Sequence, residues 1–212
     1  MPFTFRDCQV PLHAGQKDSP MILIEGLKEV FPKVFTDNRG YFLESYNKRD
    51  FVQGGIPAEF AQDNQSASVK GVLRGLHFQK RHPQGKLVRA LEGKVYDVAV
   101  DLRRGSPAFS RHYGVILDSS LQNQFYIPPG FAHGFFVISE KAIFAYKCTD
   151  FYHPEDEGGL MWNDPVLNID WKSIFDQAGG DFELLLSEKD KKHQPFNEEN
   201  NYFDINGCWI GD

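Results

Sequence analysis

Apolar and polar residues alternate in short runs through much of this chain, and turn chemistry separates the runs. Residues 1–20 are polar and read as irregular. A strand-like run begins at Met21–Glu25 and continues through Val30 to Tyr46, with a hairpin turn at Asp37-Asn38-Arg39-Gly40. Lys48–Gly54 predicts one or two helical turns, ended by Gly54-Gly55 and Pro57. The pattern is clearest from Lys86, where Leu87–Leu91, a turn at Glu92-Gly93 and the β-branched run Val95–Leu102 predict a hairpin. Short strands follow at His112–Leu117, Gln124–Ile127, Gly134–Ile138 and Ala142–Thr149. Evenly spaced strands of this kind predict an all-β sandwich or barrel with short peripheral helices. Beyond Pro165 the chain reads as helix or loop, and Glu188–Asp212 is polar with scattered Phe203, Cys208 and Trp209.

Composition narrows the function. The 212 residues suit one domain with a substantial core, and 19 Phe with 19 Gly describe a globular chain rich in strands and turns. A formal net charge of -6 and the lack of a basic stripe argue against nucleic acid as partner. A small anion remains possible if Arg39, Arg74, Lys86 and Lys189 converge. Three cysteines without CxxC spacing indicate neither a disulfide framework nor a zinc ribbon, and they fit a cytoplasmic protein. No run suggests a secretory leader or a membrane span, so the Asn64-Gln65-Ser66 sequon is expected to stay unmodified.

The candidate chemistry lies between Asn64 and Val100, where Arg74 and His77 stand three residues apart and Lys86 follows nine residues later. One imidazole with several cations suits proton transfer on an anionic substrate. A strand-borne metal site would set two histidines one residue apart, but Phe78 and Gln79 follow His77, so no metal is expected. Neither GxGxxG nor a Walker loop is present, and no GxSxG marks a nucleophile. Taken alone, His77 is a hydrogen-bonded strand histidine or a base; burying Arg74 and Lys86 nearby without an anion would be costly, which favours a polar pocket. His133, in Pro128-Pro129-Gly130-Phe131-Ala132-His133-Gly134, reads equally as a turn residue satisfied by backbone, and Tyr146 as a core aromatic.

At these residues the chain resembles the dTDP-4-dehydrorhamnose 3,5-epimerases, enzymes of deoxysugar biosynthesis. The resemblance runs from about Ile22 to Asp190. It includes Phe35-Thr36-Asp37-Asn38-Arg39-Gly40-Tyr41-Phe42-Leu43-Glu44, Gln62-Asp63-Asn64, Val72-Leu73-Arg74-Gly75-Leu76-His77, Gln84-Gly85-Lys86-Leu87-Val88-Arg89, Ile127-Pro128-Pro129-Gly130-Phe131-Ala132-His133-Gly134, Tyr146-Lys147 and Leu186-Ser187-Glu188-Lys189-Asp190. It implies a cupin jelly roll over 22–190, with an N-terminal extension 1–21 and a tail 191–212. It further implies a homodimer with exchanged strands that needs no cofactor and acts on a dTDP-linked 4-keto-6-deoxy sugar. His77 matches the family's base, Asp190 its charge partner, Tyr146 the acid on the opposite face and Lys86 the lysine beside the keto oxygen. Arg39, Glu44, Gln62, Asp63, Asn64, Arg74, His133, Glu157 and Lys189 match substrate contacts. An epimerase inverting C3 alone, or one using another nucleotide-linked 4-keto sugar, fits the same motifs. A non-catalytic sugar-binding relative predicts loss of His77 or Tyr146, and both are present.

Overall fold

A computed structural model describes residues 2–13 and 18–211. Thirteen strands and two short α-helices follow in chain order: β1 Phe3–Pro11, β2 Met21–Pro32, β3 Phe35–Asp37, β4 Gly40–Phe42, α1 Lys48–Gln53, β5 Gln62–Val69, β6 Leu73–Gln79, β7 Lys86–Glu92, β8 Lys94–Asp101, β9 His112–Asp118, β10 Gln124–Ile127, β11 Phe131–Val137, β12 Lys141–Cys148, β13 Glu157–Gly159 and α2 Trp171–Gln177. They form a six-stranded sheet in the order β1-β2-β10-β7-β12-β5 and a five-stranded sheet in the order β13-β6-β11-β8-β9. The strands pair antiparallel within each sheet. This is the expected all-β jelly-roll sandwich. Among the described residues no helix is long and apolar enough to cross a membrane.

Side chains from both inner faces fill the space between the sheets: Ile24, Leu27, Val88 and Phe144 from one, Val95, Ala99 and Phe135 from the other. A second apolar cluster lies on the outer side of the five-stranded sheet. There α2 and the C-terminal segment cover Leu73, Leu76, Val98 and Phe136 with Trp171, Ile174, Phe196 and Phe203. Helix α1 is started by Asn47, whose side chain accepts from the Asp50 N–H, and it plugs a third cluster with Phe51.

Three details differ from the sequence reading. Residues 3–11 form an edge strand paired with β2, with a register shift between Asp7 and Gln9. Its outward positions are polar, which hides the alternation of Phe3, Cys8 and Val10. The run Gln62–Val69 contains little β-branched or aromatic material, yet it pairs with β12 along its full length. The expected hairpin Leu87–Leu102 does not form: β7 bonds to β10 and β12, whereas β8 bonds to β11 and β9. Gly93, at φ +76°, carries the chain from one sheet to the other where a Cβ would stand 2.1 Å from the Lys141 carbonyl oxygen. The hairpin predicted around Asp37–Gly40 is present as β3 and β4.

The C-terminal segment belongs to this packing, since Phe203 has no exposed surface and touches Phe78 and Trp209. Phe203→Ala is expected to cost about 3–5 kcal/mol of stability. Urea unfolding checks this, and a loss below about 1 kcal/mol would mean that the segment docks without supporting the core.

Candidate active site

β6 places His77 on the five-stranded sheet, and a close approach of two backbones makes that placement possible. Gly75, at φ +134°, lies where a Cβ would meet the Gly134 Cα at 2.6 Å, so β6 and β11 come together beside His77 only with glycine there. The β11 register shifts at the same point, and His133 becomes the cross-strand partner of His77. On the opposite sheet, neighbouring strands β7 and β12 supply Lys86 and Tyr146.

His77, Lys86 and Tyr146 line two adjoining cavities of about 250 and 240 Å³. One extends to Gln62, Asn64, Gln84, Tyr152 and Glu157, the other to Ser66, Arg74, His133 and Phe135. A larger cavity of about 470 Å³ lies behind Phe78 under the C-terminal segment; of the cleft's lining it shares Phe78 alone.

His77 Nε2 and Asp190 Oδ1 are 2.5 Å apart, with the carboxylate buried. Burial works to raise the Asp190 pKa, but the hydrogen bond from His77, its charge and the Ser187 hydroxyl together hold it below the ordinary value. Asp190 therefore stays ionised. It commits one ring nitrogen and leaves the other with a lone pair, the arrangement a general base needs.

His133 Nε2 lies 2.9 Å from both oxygens of Asp97, which is fully buried. Burial raises the Asp97 pKa and lowers that of His133, and each partner's charge opposes the shift in the other. The sequence reading missed Asp97. Its signal was a lone carboxylate on the strand face that carries Val95 and Ala99.

Glu157 contacts Lys189 and accepts from the Tyr152 hydroxyl at 2.6 Å. Burial would raise the Glu157 pKa, but these two partners hold it low, while that hydrogen bond pushes the Tyr152 hydroxyl up to about 12. Burial likewise keeps the Tyr146 phenol above its ordinary value, so it carries its proton at neutral pH. Tyr152 too went unnoticed in the sequence.

Three expected contacts lie elsewhere. Asp63 points to the other face of β5 from Gln62 and Asn64 and pairs with Lys147 at 2.9 Å; the two-residue period of a strand keeps it out of the cleft. Arg39 sits on the exposed β3–β4 hairpin, bonded to Asp37, and Glu44 follows that hairpin; neither lines the cleft.

Among the described residues one group of ligand atoms could hold a metal. His77, Asp190 and His193 each offer an atom, all within 4.8 Å of one another. The histidine pair that is missing along β6 is supplied by the C-terminal segment.

Burial lowers the Lys86 pKa from 10.5, opposed by Cys148, Asp97 and Glu157. A base depressed in the fold costs stability in full below its folded pKa, and the deficit closes as pH climbs towards the unfolded 10.5. Lys86→Met is therefore expected to stabilise the ligand-free protein by about 1 kcal/mol at neutral pH, with the gain shrinking towards pH 10. Urea unfolding of both proteins at the two pH values measures this, and a pH-independent difference would place the ammonium in well-solvated surroundings.

The sequence model of dTDP-4-dehydrorhamnose 3,5-epimerase matches residues 22–198. The protein of that name from Pseudomonas aeruginosa is 55% identical over 166 residues, covering 78% of this chain and 88% of the relative. A dTDP-4-dehydrorhamnose 3-epimerase from Streptomyces niveus is 42% identical over 150 residues, or 70% and 72% of the two chains. The crystal structure of the Legionella pneumophila 3,5-epimerase in complex with dTDP-4-keto-L-rhamnose has a TM-score of 0.75 and 49% identity, covering 84% of this chain and 91% of that one.

Proposed function

The chain belongs to the dTDP-4-dehydrorhamnose 3,5-epimerase family, and from that membership we propose how its own residues divide the reaction. The protein is an isomerase that inverts C3 and C5 of dTDP-4-dehydro-6-deoxy-D-glucose to give dTDP-4-dehydro-L-rhamnose. The observation that carries our assignment is the facing of His77, backed by Asp190, against Lys86 and Tyr146 on the other sheet.

The C4 ketone acidifies the hydrogens on C3 and C5. The free nitrogen of His77 takes one, the C–H electron pair moves onto the carbonyl oxygen, and the Lys86 ammonium stabilises the enolate. Tyr146 returns a proton from the opposite wall, the carbonyl re-forms with inverted configuration, and solvent restores the phenol and discharges the imidazolium. The second carbon follows by the same steps. Arg74 adds positive charge at one end of the cleft, where His133, held by Asp97, also lines the wall; Gln62, Asn64, Tyr152, Glu157 and Lys189 line or flank the other.

In deuterated water, His77→Asn is expected to abolish exchange at C3 and C5, as read by proton NMR. Tyr146→Phe should retain exchange at the first carbon while losing at least about tenfold of the inverted product. Exchange and inversion both at the wild-type rate in Tyr146→Phe would assign the acid to another residue. Exchange confined to C3 in the wild type would favour the reading carried by the Streptomyces niveus relative, a 3-epimerase.

We further infer a homodimer in which the partner's β3–β4 hairpin brings Arg39 and Glu44 to this cleft. The hairpin exposes Phe35, Tyr41 and Phe42 at 47%, 61% and 66%, a large apolar surface to leave in water. Mixing Arg39→Ala and His77→Asn chains tests this. Half of the dimers would then be mixed, each with one intact site of two, so about a quarter of wild-type activity should return. Activity that stays at the sum of the parents would overturn the sharing.

A further inference from the structure

We propose that His193 completes, with His77 and Asp190, a site for a borderline divalent cation such as Zn²⁺, and that the ion's binding there switches the epimerase off. Two imidazoles and one carboxylate form the donor set that Zn²⁺, Co²⁺ or Ni²⁺ takes in proteins. The three donor atoms already lie within 4.8 Å of one another, and about 3.3 Å between donors would close a tetrahedral site. Small rotations of three side chains cover the difference.

His193 is set up for this by its neighbours. Its ring stands edge-on to that of His77, with centroids 5.3 Å apart. It lies flat over Gly159 in β13, where any Cβ would come within 2.5 Å of the imidazole atoms. Its Nδ1 is buried and has no hydrogen-bond partner among the described residues. A ring nitrogen withdrawn from water without a partner leaves a cost that an incoming cation offsets. The nearby Glu157 carboxylate is already committed to Lys189 and Tyr152, leaving the remaining coordination positions to water.

The inhibitory half of the proposal rests on His77 being the base. An ion at this site takes the Nε2 lone pair of His77 and one of Asp190, the proton that Nε2 held moves to Nδ1, and the nitrogen that would accept from C3 or C5 is then already protonated. Neither the strand spacing around His77 nor the substrate chemistry requires the ion. The site is an addition made by the tail, three residues beyond Asp190.

The test uses the full chain stripped with EDTA. Co²⁺ is the spectroscopic probe and Zn²⁺ the inhibitor. One Co²⁺ per chain is expected, giving the visible absorption of a four- or five-coordinate site, and stoichiometric Zn²⁺ should bleach it. Zn²⁺ should also lower epimerase activity at least about tenfold, with recovery on EDTA. His193→Ala and Asp190→Asn should each weaken Co²⁺ binding at least about tenfold, and in His193→Ala inhibition should weaken equally relative to its own zinc-free rate. Absence of the Co²⁺ spectrum in the wild type, or an unchanged spectrum in His193→Ala, would overturn the site. His77→Asn separates the two readings: it must lose Co²⁺ if the site exists, whereas it loses deuterium exchange only if His77 is the base.

Discussion

Lys86, Asp97 and His133 stand between the two sheets, with His77 half-buried beside them and the buried Asp190 reaching in from the C-terminal segment, and each would be expensive to withdraw from water alone. The sandwich tolerates them because they form a connected set. Asp190 takes a hydrogen bond from His77, Asp97 takes one from His133, and the Lys86 ammonium faces the field of Asp97 and Glu157. Burial pushes Lys86, Asp97 and His133 alike towards their neutral forms, and the Lys86 ammonium gains when an anion forms in the cleft. In the proposed reaction, the ground-state cost of Lys86 and its stabilisation of an enolate are two sides of the same desolvation.

The backbone is shaped around this set. Gly75 allows β6 to close on Gly134, and the bulge in β11 aims His133 beside His77. β13 returns along β6 and places Glu157 opposite Gln79, one residue pair from the Gly158–Phe78 contact. The C-terminal segment then completes the centre from outside, because Asp190 reaches His77 across 113 positions of sequence and Phe203 anchors the continuing chain in the outer core. The His77–Asp190 contact and tail packing are therefore coupled through one stretch of chain.

A dyad that holds a proton between an imidazole and a carboxylate is also a partial metal site. What separates the two is a third donor, and here the tail brings His193 within reach. Selectivity for proton over cation then depends on how firmly Ser187, Gly159 and the β13 backbone hold the three side chains apart.

The sequence by itself determined the all-β character, the turn between β3 and β4, and the order of Arg74, His77, Lys86 and Tyr146 along the chain, because these depend on local alternation and turn chemistry. It also carried the resemblance that names the chemistry. It left β1 and β5 unread, since their polar faces dilute the alternation and their hydrogen bonds come from partners far along the chain. It made a hairpin of β7 and β8, because a tight turn reads the same whether the next strand pairs with the last or crosses to another sheet. Only the tertiary structure put Asp63 outside the cleft while Gln62 and Asn64 faced it, found Asp97 beneath His133, and brought His193 to His77. Those placements depend on strand pairing and side-chain direction between residues tens of positions apart, which no local pattern of apolar and polar residues encodes.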